Sequence, residues 1–123
     1  MKIPDNLQTV MPYLILPNAE GFFSFTEKVF HAKEISKYMR DEKTIMHAEI
    51  MIGDSTIMFA DTTEEFKPST AGLFIYVENA EETFQIAIRE GASIIREISD
   101  QGYGRSGGIK DPFGNVWWIT TPK

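Results

Sequence analysis

The chain says nearly the same thing twice. Leu16-Pro17-Asn18-Ala19-Glu20 reads apolar-x-Asn-Ala-Glu, and Val77-Glu78-Asn79-Ala80-Glu81 repeats it 61 residues later. At the same offset Phe23 falls on Phe84, and Gly53 falls on Gly114. Two such copies fill the 123 residues. A repeat of this length restricts the chain to two copies of one small unit. Paired units commonly meet at a cleft, and a cleft is where ligands bind.

Hydrophobic spacing supplies the elements of each copy. Val10 to Leu16 is apolar and bounded by prolines, so it reads as a first strand. Asn18 is a good N-cap, and Ala19 to Phe30 then places Phe22, Phe25 and Val29 at helical spacing. Lys43–Ile52 and Thr56–Ala60 read as a hairpin about Gly53-Asp54-Ser55. Thr62 to Thr70 is polar and carries Pro68, which suits a linker between copies or a mobile loop over the cleft. The second copy runs in the same order. Gly72–Val77 is a strand, Asn79 caps a helix with Glu82 at its third position, and Gly91 ends it. Ala92–Ile98 is extended, Gln101–Gly108 with its four glycines reads as a loop, and Val116–Thr121 is the last strand. Each copy is β-α-β-β with room for one more strand.

Bulk properties narrow the function classes. Length fits a single domain, residues 1–123, and 42% hydrophobic with 24% charged residues is ordinary for a globular protein. A net charge of −6 argues against nucleic acid or an anionic membrane surface as partner, while leaving room for a small anion held by a local arginine. The absence of cysteine excludes disulfides, thiolate nucleophiles and zinc-thiolate sites. No run approaches the roughly 20 apolar residues of a membrane span, and the N-terminus lacks a signal-peptide pattern, so a cytoplasmic location is expected.

Paired βαβββ units with Asp111-Pro112-Phe113-Gly114-Asn115-Val116-Trp117-Trp118 before the last strand resemble the vicinal oxygen chelate superfamily, the glyoxalase, bleomycin-resistance and extradiol-dioxygenase group. Together with Met46-His47-Ala48-Glu49-Ile50 and the glycine-rich stretch through Gly104-Arg105, this is similar to its PhnB-like branch. The resemblance covers essentially the whole chain. It implies an α+β fold: two tandem βαβββ units, about 8–61 and 70–121, form curved mixed sheets around a cavity with helices outside, commonly in a homodimer. It also implies four positions for a divalent metal, which align with Met11, Ile57, Gly72 and Trp118. None of these side chains ligates such a cation well, and no neighbour one residue away is His, Glu or Asp. The expectation is therefore a scaffold with no metal and no cofactor.

What remains is a cavity with aromatic walls. By strand alternation Met11, Tyr13 and Ile15 share a face, as do Phe74 and Tyr76, and Trp118 shares its face with Thr120. Trp117 and Trp118 face opposite sides, one toward core or dimer interface and the other toward the cavity. His47 and Glu49, two apart on a strand, point the same way; they are either an acid–base pair or a hydrogen-bonded pair on a solvated or interface face. Tyr103 and Arg105 sit among glycines, either as a loop able to close on an anion or as a plain surface turn. His31 falls at a helix C-terminus, where a cation is favoured.

Three functional readings follow. The first is a binding protein that holds a small aromatic or anionic molecule without a metal, using Tyr13, Phe74, Tyr76, Tyr103, Arg105 and Trp118. The second is a metal-independent isomerase or lyase in which His47 and Glu49 act as acid and base. The third is a metalloenzyme whose ligands have moved to His47, Glu49 and a further donor.

Overall fold

The computed structural model describes all 123 residues. The element order is β1 (Tyr13–Leu16), α1 (Ala19–Phe30), β2 (Lys33–Met39), β3 (Ile45–Ile52), β4 (Ser55–Asp61), then β5 (Gly72–Tyr76), α2 (Ala80–Arg89), β6 (Ser93–Gln101), β7 (Gly104–Lys110) and β8 (Val116–Pro122). The fold is α+β. Two four-stranded mixed sheets, ordered β1-β4-β3-β2 and β5-β8-β7-β6, each pair their first strand in parallel with their last. Neither sheet closes on itself.

The helix starts follow from the repeated asparagines. Asn18 Oδ1 accepts from Gly21 N and Asn79 Oδ1 from Glu82 N, each satisfying one orphan donor of a first turn. A second device serves each helix from across the unit. Ala19 N donates to Asp61 Oδ1, and Ala80 N donates to Thr121 Oγ1, so the closing strand of each unit holds the start of its own helix. These contacts locate a slip within the repeat. The helix starts are 61 residues apart, whereas Asp61 and Thr121 are 60 apart. Tyr13 pairs with Met58 and Phe74 pairs with Trp118, so the counterpart of Trp118 is Met58 rather than Ile57.

Three elements differ from the sequence reading. The first strand begins at Tyr13, because Pro12 cannot donate to a ladder; its carbonyl still accepts from Met58 N. The extra strand is β2, whose charged residues and half-exposed face hide its alternation. Gln101–Gly108 is not a loop. Only Gly102 and Tyr103 turn the chain, and the remaining glycines lie in β7 because neighbours approach their backbone. A Cβ on Gly108 would meet the Trp118 ring at 2.5 Å, and one on Gly104, at φ +148°, would strike the Thr121 carbonyl.

A single hydrophobic core of 20 residues spans both units. α1 lays Phe22, Phe25, Val29 and Phe30 on Leu14, Ile50 and Phe59 of its own sheet. Phe22 also contacts Trp117 and Phe113 of the second unit, with ring centroids 6.5 and 6.0 Å away. Both helices therefore cover the core-facing side of the sheets, and both sheets leave their opposite faces open. Asp111 stitches the last turn. Its Oδ1 accepts from Phe113 N and Asn115 N, and its Oδ2 accepts from Asn115 Nδ2 and Trp117 Nε1.

Candidate functional site

Alternation along the first sheet decides what faces outward. Leu14, Leu16, Ile57, Phe59, Ala48 and Ile50 turn inward and are buried. Tyr13, Ile15, Met58, Ala60, His47 and Glu49 lie on the other face. The order β1-β4-β3 puts Tyr13 and His47 on strands separated by β4. Register places Ala60 beside Ile15 and Phe59 beside Ala48, so the small Ala60 lies between the strands that carry the two rings. Tyr13 Oη lies 2.9 Å from His47 Nδ1, and His47 Nε2 lies 2.8 Å from Glu49 Oε2. An ionised carboxylate can only accept, so Nε2 carries the proton given to Glu49. In the neutral imidazole Nδ1 is then the acceptor, and the Tyr13 hydroxyl donates to it. The His47 ring lies between Tyr13 and Tyr38, at centroid distances of 5.4 and 6.4 Å. A bulge at Met46, where β3 gains a residue relative to β2, sets this orientation.

Beside this row lies an open pocket of about 560 Å³. Tyr13, Ile15, Met46 and Phe66 give it apolar and aromatic walls, and Arg40, Asp61 and Glu65 supply its charges. The segment after β4 forms one side. It is held in place by a two-way backbone bridge between Ile15 and Ser69 at the free edge of β1, and Thr63, Glu65 and Phe66 reach the pocket from there. Asp61 is fully engaged: Oδ1 accepts from Ala19 N and Oδ2 accepts from Ile45 N at 2.6 Å. Arg40 has no ion-pair partner; its Nη2 reaches only the Asp61 carbonyl oxygen, at 3.5 Å. Arg40 is positioned by the β2–β3 turn, in which Asp41 Oδ1 accepts from Lys43 N and Thr44 N. Those backbone donors hold the Asp41 carboxyl below its ordinary range.

The second sheet carries a separate aromatic face. Phe74 packs edge-on to Tyr76 with centroids 5.3 Å apart and lies 6.1 Å from Tyr103. Trp118 covers Gly108, and Ser106 Oγ and Thr120 Oγ1 share a hydrogen bond of 2.7 Å. Trp117 is the core member of the tryptophan pair, buried at 2% exposure. None of Phe74, Tyr76, Tyr103, Arg105 or Trp118 lines the pocket that contains Tyr13. Arg105 lies on β7 and emerges on the helix-covered side. There it bonds Glu81 in the first turn of α2 and, at 2.9 Å, Asp100. Those two carboxylates, Glu81 foremost, raise its pKa. His31 caps α1 in the left-handed conformation at φ 60°, away from His47.

The donor set does not suit a divalent metal. Met11, Gly72, Trp118 and either Ile57 or its neighbour Met58 offer no hard ligand. His47 and Glu49 are bonded to one another, and no third His, Asp or Glu gathers with them. Sequence reasoning missed Arg40, Met46 and Phe66. Arg40 opens the run Arg40-Asp41-Glu42-Lys43, which carries no mark beyond that of a solvated turn.

Comparison with known proteins agrees with the fold. The family model described as Glyoxalase/Bleomycin resistance protein/Dioxygenase superfamily matches residues 8–119. The chain belongs to this superfamily. It is 27% identical to an uncharacterized protein of Mycobacterium bovis, over 90% of this chain and 81% of that one. A PhnB protein from Bacillus cereus superposes with a TM-score of 0.73 at 18% identity, covering 93% of this chain and 99% of that one. TnmS3, an antibiotic binding protein from Streptomyces sp. CB03234, superposes with a TM-score of 0.69 at 15% identity, covering 94% and 98%. Nor does any helix of this member have the length and apolar character to cross a membrane.

Proposed function

We propose that this superfamily member binds a small organic anion with a flat or apolar body, through its own side chains and without the divalent metal that the family resemblance implies. The observation that carries the reading is the pocket beside β1. Its walls are Tyr13, Ile15, Met46 and Phe66, and its cation, Arg40, forms no ion pair with a carboxylate. A guanidinium with free donors is the side chain best matched to a carboxylate or phosphate. The antibiotic-binding description of TnmS3 supports the reading by analogy of fold. Calorimetric titration with aromatic carboxylates tests it: saturable binding lost in Arg40→Ala supports the site, and equal binding by both proteins sinks it.

The aromatic face of the second sheet belongs to the same proposal. Phe74, Tyr76 and Tyr103 are each about half exposed, and such a contiguous surface is a natural interface. We assign it to a homodimer in which it contributes further wall to the ligand site. Light scattering across a dilution series, on wild type and Tyr76→Asp, tests this. A wild-type monomer at all concentrations would exclude the dimer.

A further inference from the structure

We infer that Tyr13 exchanges a proton with the ligand, so that the pocket promotes enolisation of carboxylates bearing an adjacent carbonyl. This rests on the binding site proposed above and adds chemistry to it. The direction of the hydrogen bonds carries the argument. Tyr13 lines the pocket at 47% exposure, yet with His47 neutral its hydroxyl proton points away from it, to His47 Nδ1 at 2.9 Å. The phenol oxygen therefore offers the pocket lone pairs and no proton. Behind it, His47 Nε2 donates to Glu49, whose side chain is only 14% exposed. A proton arriving on Nδ1 makes an imidazolium that is already paired with a carboxylate. A hydroxyl activated as a nucleophile by histidine and a carboxylate follows the same proton path, here applied to proton abstraction.

A plain strand tie is the competing explanation, and two observations argue against it. β1 is already held to β4 by its own ladder over Tyr13–Leu16, so the sheet does not need the tie. Tyr13, the hydroxyl end of the tie, also sits on the wall of the pocket that holds the unpaired Arg40, rather than elsewhere on the open face.

The step balances without oxidant or reductant. A proton on the carbon next to the carbonyl moves to Tyr13 Oη, while the Tyr13 hydroxyl proton moves to His47 Nδ1. The C–H electron pair becomes the C=C bond of an enolate, and the negative charge on oxygen is met by Arg40, which also holds the carboxylate. Reversal returns a proton either to carbon or to oxygen, and the net change is isomerisation. Tyr13 is the catalytic residue; His47 and Glu49 act through it and position it.

Phenylpyruvate is a suitable probe, because it joins an aromatic ring, a carboxylate and an enolisable carbon. Its C3 protons exchange in D2O at a rate read by proton NMR, and its binding is read separately from backbone amide shifts of the labelled protein. Wild type should accelerate exchange above the buffer rate. Tyr13→Phe, which removes a half-exposed hydroxyl but keeps the ring that lines the pocket, should still bind and lose about 10²-fold or more in exchange rate. Glu49→Gln should bind equally, exchange more slowly and show an altered pH profile. Binding with exchange no faster than buffer, or full exchange by Tyr13→Phe, overturns the relay and leaves the binding proposal standing. Failure of wild type to bind phenylpyruvate removes both.

Discussion

Replacing Asp111 should unfold the second unit's last turn rather than silence a reaction. The carboxylate is 3% exposed and accepts four N–H groups, from Phe113, the Asn115 backbone, the Asn115 side chain and the Trp117 indole. Phe113 N is only partly buried and can turn to water. The other three donors belong to Asn115 and Trp117, which are buried at 0% and 2% exposure. Each buried donor left without a partner costs about 1–3 kcal/mol. Partial hydration of the vacated space offsets some of that, so Asp111→Ala should lose about 3–5 kcal/mol, the range seen when one partner of a buried charged pair is removed. Asp111→Asn is the sharper variant. Its amide turns N–H toward two donors that need an acceptor, so it should lose nearly as much despite matching the parent in shape. For a chain of this size, between the lengths for which the slope is known, this corresponds to a fall of about 10–20 °C in melting temperature. Thermal and urea unfolding, followed by tryptophan fluorescence, measure it. An Asn variant within about 1 kcal/mol of wild type would refute the accounting, since one lost acceptor alone should exceed that.

Other consequences are open to test. Asp61→Asn should cost about 1–3 kcal/mol in urea unfolding, because an amide cannot accept from both Ala19 N and the buried Ile45 N. Arg40→Ala should weaken carboxylate binding about tenfold or more, the worth of one charge-assisted bond, whereas Arg105→Ala should leave calorimetric affinity unchanged because Glu81 and Asp100 already occupy its donors. The Asp41 carboxyl, lowered by Lys43 N and Thr44 N, should titrate below the ordinary aspartate range in carbon-detected NMR. A depressed value stabilises the folded state above the unfolded pKa, and that share is lost as pH falls through the folded one; Asp41→Asn should therefore flatten the acid limb of the stability curve.

Much of the fold was legible because its signals are local. Asn18 and Asn79 cap helices at the expected positions, and Phe22, Phe25 and Phe84 are buried as helical spacing requires. What failed was information held by partners. The glycines of β7 look like a loop until the Trp118 ring and the Thr121 carbonyl are placed against them. The site divides the same way. Alternation is enough to align His47 with Glu49, and the 2.8 Å bond between them follows. That Tyr13 completes the row depends on parallel pairing of β1 with β4, which no local pattern encodes. Arg40 owes its place to a turn fixed by one carboxylate, and Arg105 owes its engagement to a helix 24 residues earlier in the chain.

Trp117 belongs to the second half of the chain but sits against the first, with its ring centred 4.4 Å from that of Phe30. Phe113 does the same, 6.2 Å from Phe25. The chain thus repeats a plan while sharing one interior. Neither half can shed the other without wetting large aromatic surfaces, so a lesion in either is felt by both. Divergence is left to the outward faces, which the shared interior does not constrain. There the halves have parted: at matched positions one shows a tyrosine bonded to a histidine that is bonded in turn to a glutamate, and the other a phenylalanine, a serine and a glycine roofed by an indole. A duplicated architecture of this kind keeps its halves thermodynamically bound together while leaving them free to specialise chemically.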